Sequence, residues 1–182
     1  MTEAAASPKR VLCLCGSLRR VSANRAALEA AQALAPALLR LEIHRGMDAL
    51  PPFSPDLEID PLPQPVLDLR EAIGCADALL IACPEYAHGI PGAFKNLLDW
   101  LVGALEFPGK PVLLLNTSAR SSHHAQDALM EVLRTMSARL LSDDPLPVRL
   151  PGAGCSVEAV LASADRGREI EVALGCLAAG LA

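Results

Sequence analysis

Apolar residues in this chain recur in two rhythms: short continuous runs, and longer stretches with apolar positions three or four apart. Residues 10–15 (Arg-Val-Leu-Cys-Leu-Cys) predict a first strand that Gly16 ends. Ser22 or Asn24 can cap a helix rich in Ala and Leu that runs to about Ala35, where Pro36 breaks it. Residues 38–44 alternate apolar and polar positions, as in a strand nearer an edge. Val66, Leu69 and Ile73 give one apolar face to a helix over 66–75, and 79–83 is a buried third strand. Pro91 can open a helix to about Leu105, because a first-turn proline loses no intrahelical bond. Residues 111–116 are a fourth strand covered on both faces. Ser121 or Ser122 can start a helix through about Met136, and 139–141 is a short fifth strand. Residues 143–154 read as irregular, and 156–181 as a terminal helix broken near Gly167.

Strands alternating with helices imply α/β architecture, with a parallel sheet and helices on both faces. Five strands favour the flavodoxin-like order 2-1-3-4-5 over a six-strand dinucleotide fold. The length of 182 residues suits a single domain spanning 1–182, with 1–9 as a loose N-terminal tail. Between the second strand and second helix lies 46–65, with prolines at 51, 52, 55, 61, 63 and 65. A loop that long inside a compact domain is more often functional or interfacial than passive.

Composition narrows the partners. With 52% apolar residues the chain can bury a core, and a net charge of −5 without long basic runs gives no reason to expect nucleic acid. No apolar run is long enough for a membrane helix, and residues 1–8 lack a signal-peptide core, so the expectation is a cytoplasmic protein. The six cysteines form no C-x-x-C pair and no zinc-type cluster, so no metal is expected. Cys13 and Cys15 share one face of the first strand and read as small buried thiols.

At the switch point of such a sheet three loops meet, and they hold the candidate chemistry. The first, 16–24, joins a strand to a helix start, where backbone N–H groups favour an anion. Ser17, Ser22 and Asn24 add neutral donors and Arg19 adds charge. It has neither the G-x-x-x-x-G-K-[ST] nor the G-x-G-x-x-G pattern, so a monophosphate fits better than a triphosphate or a dinucleotide. The bland alternative is that Ser and Asn merely cap the helix. The second loop holds Pro84, Glu85, Tyr86, Ala87, His88 and Gly89; three of the five Phe, Tyr and Trp residues fall between 86 and 100. Its backbone can bond the edge of a flat heterocycle while Tyr86 covers or flanks the face. Asn96 and Asp99 can bond a loop, and Trp100 reads as core. The third loop, 117–124, is polar, with Ser118 and Arg120 as candidate contacts. His123 and His124 are adjacent and poorly placed to share a metal. No nucleophile elbow is present, so a phosphate-ester hydrolase has weak support.

Together these loops resemble the NADPH-dependent FMN reductase family. That family carries G-S-x-R-x-x-S-x-N after its first strand, matched by Gly16, Ser17, Arg19, Ser22 and Asn24. It carries P-E-Y-N-x-x-x-P-x-x-x-K-N-x-x-D-W after its third, matched by Pro84, Glu85, Tyr86, Pro91, Lys95, Asn96, Asp99 and Trp100. Leu50, Pro51, Phe53, Asp56 and 76–78 add to a resemblance over roughly residues 10–140. Ala87 departs from it where relatives commonly have Asn, and 121–124 (Ser-Ser-His-His) departs where relatives often have glycines.

The resemblance implies an oxidoreductase that passes a hydride from NADPH (or NADH) through bound FMN to an acceptor: free flavin, a quinone, an azo compound or a metal oxyanion. It places the FMN phosphate on the first loop and the isoalloxazine on 84–89. The flavin carries the chemistry, so no catalytic protein residue is implied. Arg120 is a candidate for the 2′-phosphate of NADPH. The resemblance also implies a homodimer or homotetramer, with 46–65 and the helix from Pro91 as contacts. A flavin-binding electron carrier or sensor without NAD(P)H activity is the alternative.

Overall fold

The computed structural model describes residues 7–118, 123–152 and 154–182. Strands β1 (Lys9–Cys15), β2 (Leu39–Ile43), β3 (Ala78–Ala82), β4 (Pro111–Asn116) and β5 (Arg139–Leu140) form a parallel sheet in the order β2-β1-β3-β4-β5. That is the order the sequence predicts. Helices α1 (Ala23–Ala33), α2 (Gln64–Gly74), α3 (Gly92–Leu101), α4 (His124–Thr135), α5 (Val157–Leu161) and α6 (Ala164–Gly180) cover it.

Period 2 sorts the strand side chains onto two faces. Val11, Cys13, Cys15, Leu80, Ala82, Leu113 and Leu115 face α1, α5 and α6. Leu12, Leu14, Leu79, Ile81, Cys83, Val112 and Leu114 face α2, α3 and α4. The first face is built from small residues, with five buried alanines on α1, which lets that helix lie close to the sheet. Every large buried aromatic (Phe94, Trp100 and Phe107) lies on the other face.

Several boundaries differ from the sequence reading. Lys9 belongs to β1 and pairs with Leu39, so the tail stops short of it. The terminal helix breaks at Ser163, not at Gly167. Ser163 is extended and begins α6, whereas Gly167 sits inside it, its N–H bonded to the Ser163 carbonyl at 2.9 Å. The segment expected to be irregular contains a two-residue strand, β6 (Leu146–Pro147), parallel to β4 at Leu115 and Asn116. β5 pairs only with Pro111 and Val112 of β4, so β5 and β6 together complete one interrupted edge. A strand this short, containing a proline, carries no periodic signal. The expected helix start at Ser121 or Ser122 lies outside the described residues, and α4 is observed from His124.

The proline-rich segment is held by α3. Asn96 accepts from the Phe53 N–H (2.7 Å) and donates to the Pro51 carbonyl (3.0 Å), and Trp100 Nε1 donates to the same carbonyl (2.8 Å). Phe53 meets the Trp100 ring edge-on at 5.1 Å. Arg70 closes the far end by donating to the Trp100 carbonyl and pairing with Glu58 at 2.7 Å. Two short 3-10 turns, Met47–Ala49 and Pro55–Leu57, replace the featureless loop.

Candidate functional site

The carboxyl ends of β1, β3 and β4 carry the three loops, and the structure ties them together. Gly16 lies against β3: a Cβ there would come within 2.7 Å of the Cys83 sulfur, so only glycine allows the approach. Ser17 is buried, and its Oγ accepts from the Arg19 N–H at 3.2 Å. Its own proton remains to donate, with the Tyr86 hydroxyl 3.5 Å away. Ser22 caps α1, accepting from the Arg25 N–H at 3.5 Å. Asn24 is buried and its Oδ1 accepts from the Thr117 hydroxyl at 2.9 Å, joining the first loop to the third. Capping is therefore what Ser22 does here, and tying loops together is what the Asn24 carbonyl does. No acidic residue occupies the first turn of α1, so none on the helix competes for its positive end.

The second loop is a turn closed on itself. Tyr86 and Gly89 exchange both backbone hydrogen bonds at 3.0 Å, and the residues between them, Ala87 and His88, have φ of 50° and 59°. Positive φ at both central positions is the requirement of a type I′ turn, which favours Asn-Gly. Here neither position is glycine; Gly89 comes one residue too late to relieve the turn. The Asn of the resembled family pattern would suit the backbone at position 87, since Asn tolerates this conformation better than Ala.

Glu85 serves the frame. Its Oε2 accepts from the Ala125 N–H in the first turn of α4 (3.0 Å), where the helix end attracts a carboxylate. Its Oε1 lies 3.5 Å from His88 Nδ1. The exposed His88 ring meets His124 edge-on at 4.5 Å, and His124 lies 4.0 Å from His123. Sequence separation hides this meeting of three imidazoles. Gln126 is a further residue the sequence reading missed. Buried on α4, it donates from Nε2 to the Cys83 carbonyl at 3.1 Å and so holds the root of the turn; its Oε1 is buried without a hydrogen-bond partner among the described residues. A lone Gln on a helix offers no motif that would reveal this.

Pro84 follows Cys83 directly, its carbonyl 3.5 Å from that sulfur. Tyr86 is half exposed and Phe94 and Trp100 are fully buried, so only Tyr86 of the clustered aromatics can meet a ligand. Ser118 is half-buried, and its N–H is held by Asn116 Oδ1 at 3.1 Å. Arg120 lies outside the described residues. Cys13 and Cys15 are buried on one face, and burial pushes the Cys13 and Cys83 thiols up to about 12, so neither is a nucleophile near neutral pH.

These features suit a ligand with an anionic end and a flat polar-edged ring. The anion would meet the α1 end with the Ser17 and Ser22 hydroxyls. The ring edge would meet the backbone of 84–89, with the exposed Tyr86 ring beside it.

Comparison with known proteins agrees with this reading. The family model described as NADPH-dependent FMN reductase matches residues 9–147. An NAD(P)H-dependent FMN reductase of Pseudomonas aeruginosa is 36% identical over 129 residues, covering 66% of this chain and 69% of that protein. A quinone reductase of Escherichia coli is 32% identical over 130 residues, covering 66% and 69%. Among solved structures, the flavoenzyme NAD(P)H:(acceptor) oxidoreductase FerB from Paracoccus denitrificans superposes with a TM-score of 0.73. It is 29% identical and covers 95% of both chains.

Proposed function

The chain belongs to the NADPH-dependent FMN reductase family, and on that footing we propose that it passes a hydride from NAD(P)H through FMN to a small-molecule acceptor. Free flavin, quinones, azo compounds and metal oxyanions are the acceptor classes. The observation that carries this reading is the joining of three loops around the α1 N-terminus: Ser17 to Tyr86 (3.5 Å), Asn24 to Thr117 (2.9 Å) and Glu85 to the α4 start (3.0 Å).

FMN, when bound, supplies the hydride chemistry; the chain supplies position and environment. Ser17 and Ser22 retain hydroxyl protons for the phosphate, the α1 amides add their dipoles, and Arg19 adds charge. Asn24 fixes the spacing between the first and third loops. The backbone from Pro84 to Gly89 bonds the ring edge, Tyr86 flanks it, and Ser118 lines the opposite loop. Arg120 stays a candidate contact from sequence alone. Glu85 and Gln126 keep the turn from drifting, so the ring's edge finds its partners already placed.

The acceptor and nicotinamide approach a surface that a second copy of the chain would help to enclose, in a homodimer or homotetramer. Leu57 and Ile59 of the proline-rich segment, and Val102 and Leu105 beyond α3, are exposed. A Cβ at Gly103 would overlap the Glu58 carboxylate, so these two pieces of chain are neighbours and their apolar residues share one region. A cytoplasmic location accords with the coenzyme supply, and among the described residues no helix is long and apolar enough to cross a membrane.

The test is a titration of purified protein with FMN, followed by NADPH or NADH under air. Yellow colour retained on the protein and coenzyme consumed are the expected results. Flavin binding without consumption by any acceptor would instead identify an electron carrier or sensor. No flavin binding would refute both readings.

A further inference from the structure

Beside the first loop lies a cavity lined mostly by residues outside both family motifs. It sits where the end of β1, the first turn of α1 and the segment after β2 meet, and measures about 170 Å³. Ser17, Arg25, His44, Arg45, Met47 and Asp48 are among its walls. That volume is well below the roughly 300 Å³ at which pockets begin to hold whole drug-sized ligands, so it suits a single functional group.

Its polar groups point to the kind of group. Among the described residues, neither the Arg25 nor the Arg45 guanidinium has an ion pair. His44 Nε2 is buried and has no hydrogen-bond partner among the described residues. A buried imidazole nitrogen without a partner forfeits its hydration, and native structures rarely leave one so without a ligand or water to explain it. Burial holds His44 below its ordinary pKa, opposed by the Asp68 carboxylate, so near neutral pH it is an uncharged donor or acceptor. Among the lining residues two guanidiniums and one carboxylate, Asp48, leave a positive balance, with Asp68 acting on His44 from outside the lining. Guanidinium forks match the paired oxygens of a phosphate or carboxylate. Ser17 borders both this cavity and the Tyr86 contact, so the cavity adjoins the flavin site without using residues 84–89 or the third loop.

We infer that this cavity is a second phosphate-group site, separate from the one that receives the flavin phosphate, taking either the 2′-phosphate of NADPH or free inorganic phosphate. The NADPH arm rests on the function proposed above; the inorganic-phosphate arm does not. Arg45 and Arg25 bind the oxygens, and the His44 ring, which lines the cavity, responds to the occupant.

The experiment uses the full chain, both free of FMN and loaded with it. Inorganic phosphate is titrated while the His44 imidazole resonance, assigned by its loss in His44→Gln, is followed by NMR. Steady-state rates with NADPH and NADH are measured for the wild type, Arg45→Gln and Arg45→Lys. Thermal unfolding checks that the variants fold. The expected result is a saturable His44 shift in the FMN-loaded protein, weakened about tenfold by Arg45→Gln and partly restored by Arg45→Lys. If the occupant is the coenzyme, kcat/KM for NADPH falls about tenfold in Arg45→Gln while that for NADH and the FMN affinity stay constant. If it is free phosphate, both coenzymes are unaffected and only the NMR response is lost. The inference is overturned by no saturable shift, or by a shift that FMN abolishes, which would make the cavity part of the flavin-phosphate site. A protein that shows the shift but consumes neither coenzyme would refute the proposed activity and leave the cavity assignment standing.

Discussion

The two halves of the motif from Pro84 to Trp100 behave as different materials. The later half, on α3, buries Phe94, Leu97, Leu98 and Trp100 and is bonded to the proline-rich segment: Asn96 and Trp100 grip Pro51 and Phe53, and Trp100 has no exposed surface. The earlier half is an exposed turn with two residues of unfavourable φ and a ring half in solvent. Adjacent letters of one motif thus divide into a part that builds and a part that, in the proposed function, meets the ligand. Substitutions in the first half should cost stability, and those in the second should change ligand behaviour with little stability cost.

The largest expected effect is Trp100→Ala. It removes a buried ring and leaves the Pro51 carbonyl with one donor fewer, so denaturant unfolding should show a loss of about 3–5 kcal/mol. A value near zero would erase the distinction. Next comes Cys83, at the root of the turn, together with Cys13. Both thiols are pushed from 9.0 up to about 12 by burial. Above pH 9 the unfolded chain loses these protons while the fold keeps them. Stability present below pH 9 is therefore lost as pH rises toward 12, by about 1.4 kcal/mol per pH unit for each thiol. Denaturation midpoints between pH 8 and 10 would show it, and Cys83→Ala should flatten the slope. Asn96→Ala should cost about 1–3 kcal/mol, since it leaves the Phe53 N–H unpaired, with flavin affinity nearly constant.

How much of this was legible in the chain depended on the kind of signal. The strand order, α1 with a cap at Ser22 or Asn24, and the burial of Trp100 followed from period, capping chemistry and size. The partners of Asn24, Glu85 and His88 did not, because Thr117, Ala125 and His124 are distant in sequence and joined only by the sheet. Ala87 was visible as a departure from relatives, but its meaning needed the backbone. The difference lies in the φ the turn demands as well as in a side chain removed from beside a ring. β6 left no trace because two residues, one of them proline, cannot express a period.

The smaller predictions sharpen the contrast from the turn's side. Ala87→Gly should stabilise the fold by about 0.5–1 kcal/mol, the relief of a left-handed alanine less the added freedom of the unfolded chain. Thermal unfolding measures it; destabilisation would mean the turn is not strained as described. Tyr86→Phe should change stability by less than about 0.5 kcal/mol, because the 3.5 Å contact with Ser17 is long for a hydrogen bond. A shift in flavin affinity beyond about threefold would show that the hydroxyl itself touches the ligand.

The Asn24–Thr117 bond spans 93 positions of sequence. Its two ends lie on segments that become neighbours only when β4 has docked beside β3. Loop closure over such a distance comes late and slowly relative to local helix formation. The proposed cofactor pocket, assembled this way, cannot capture its ligand during early collapse. Flavin fluorescence quenching in a refolding experiment should therefore lag the helical signal and report the arrival of the central sheet.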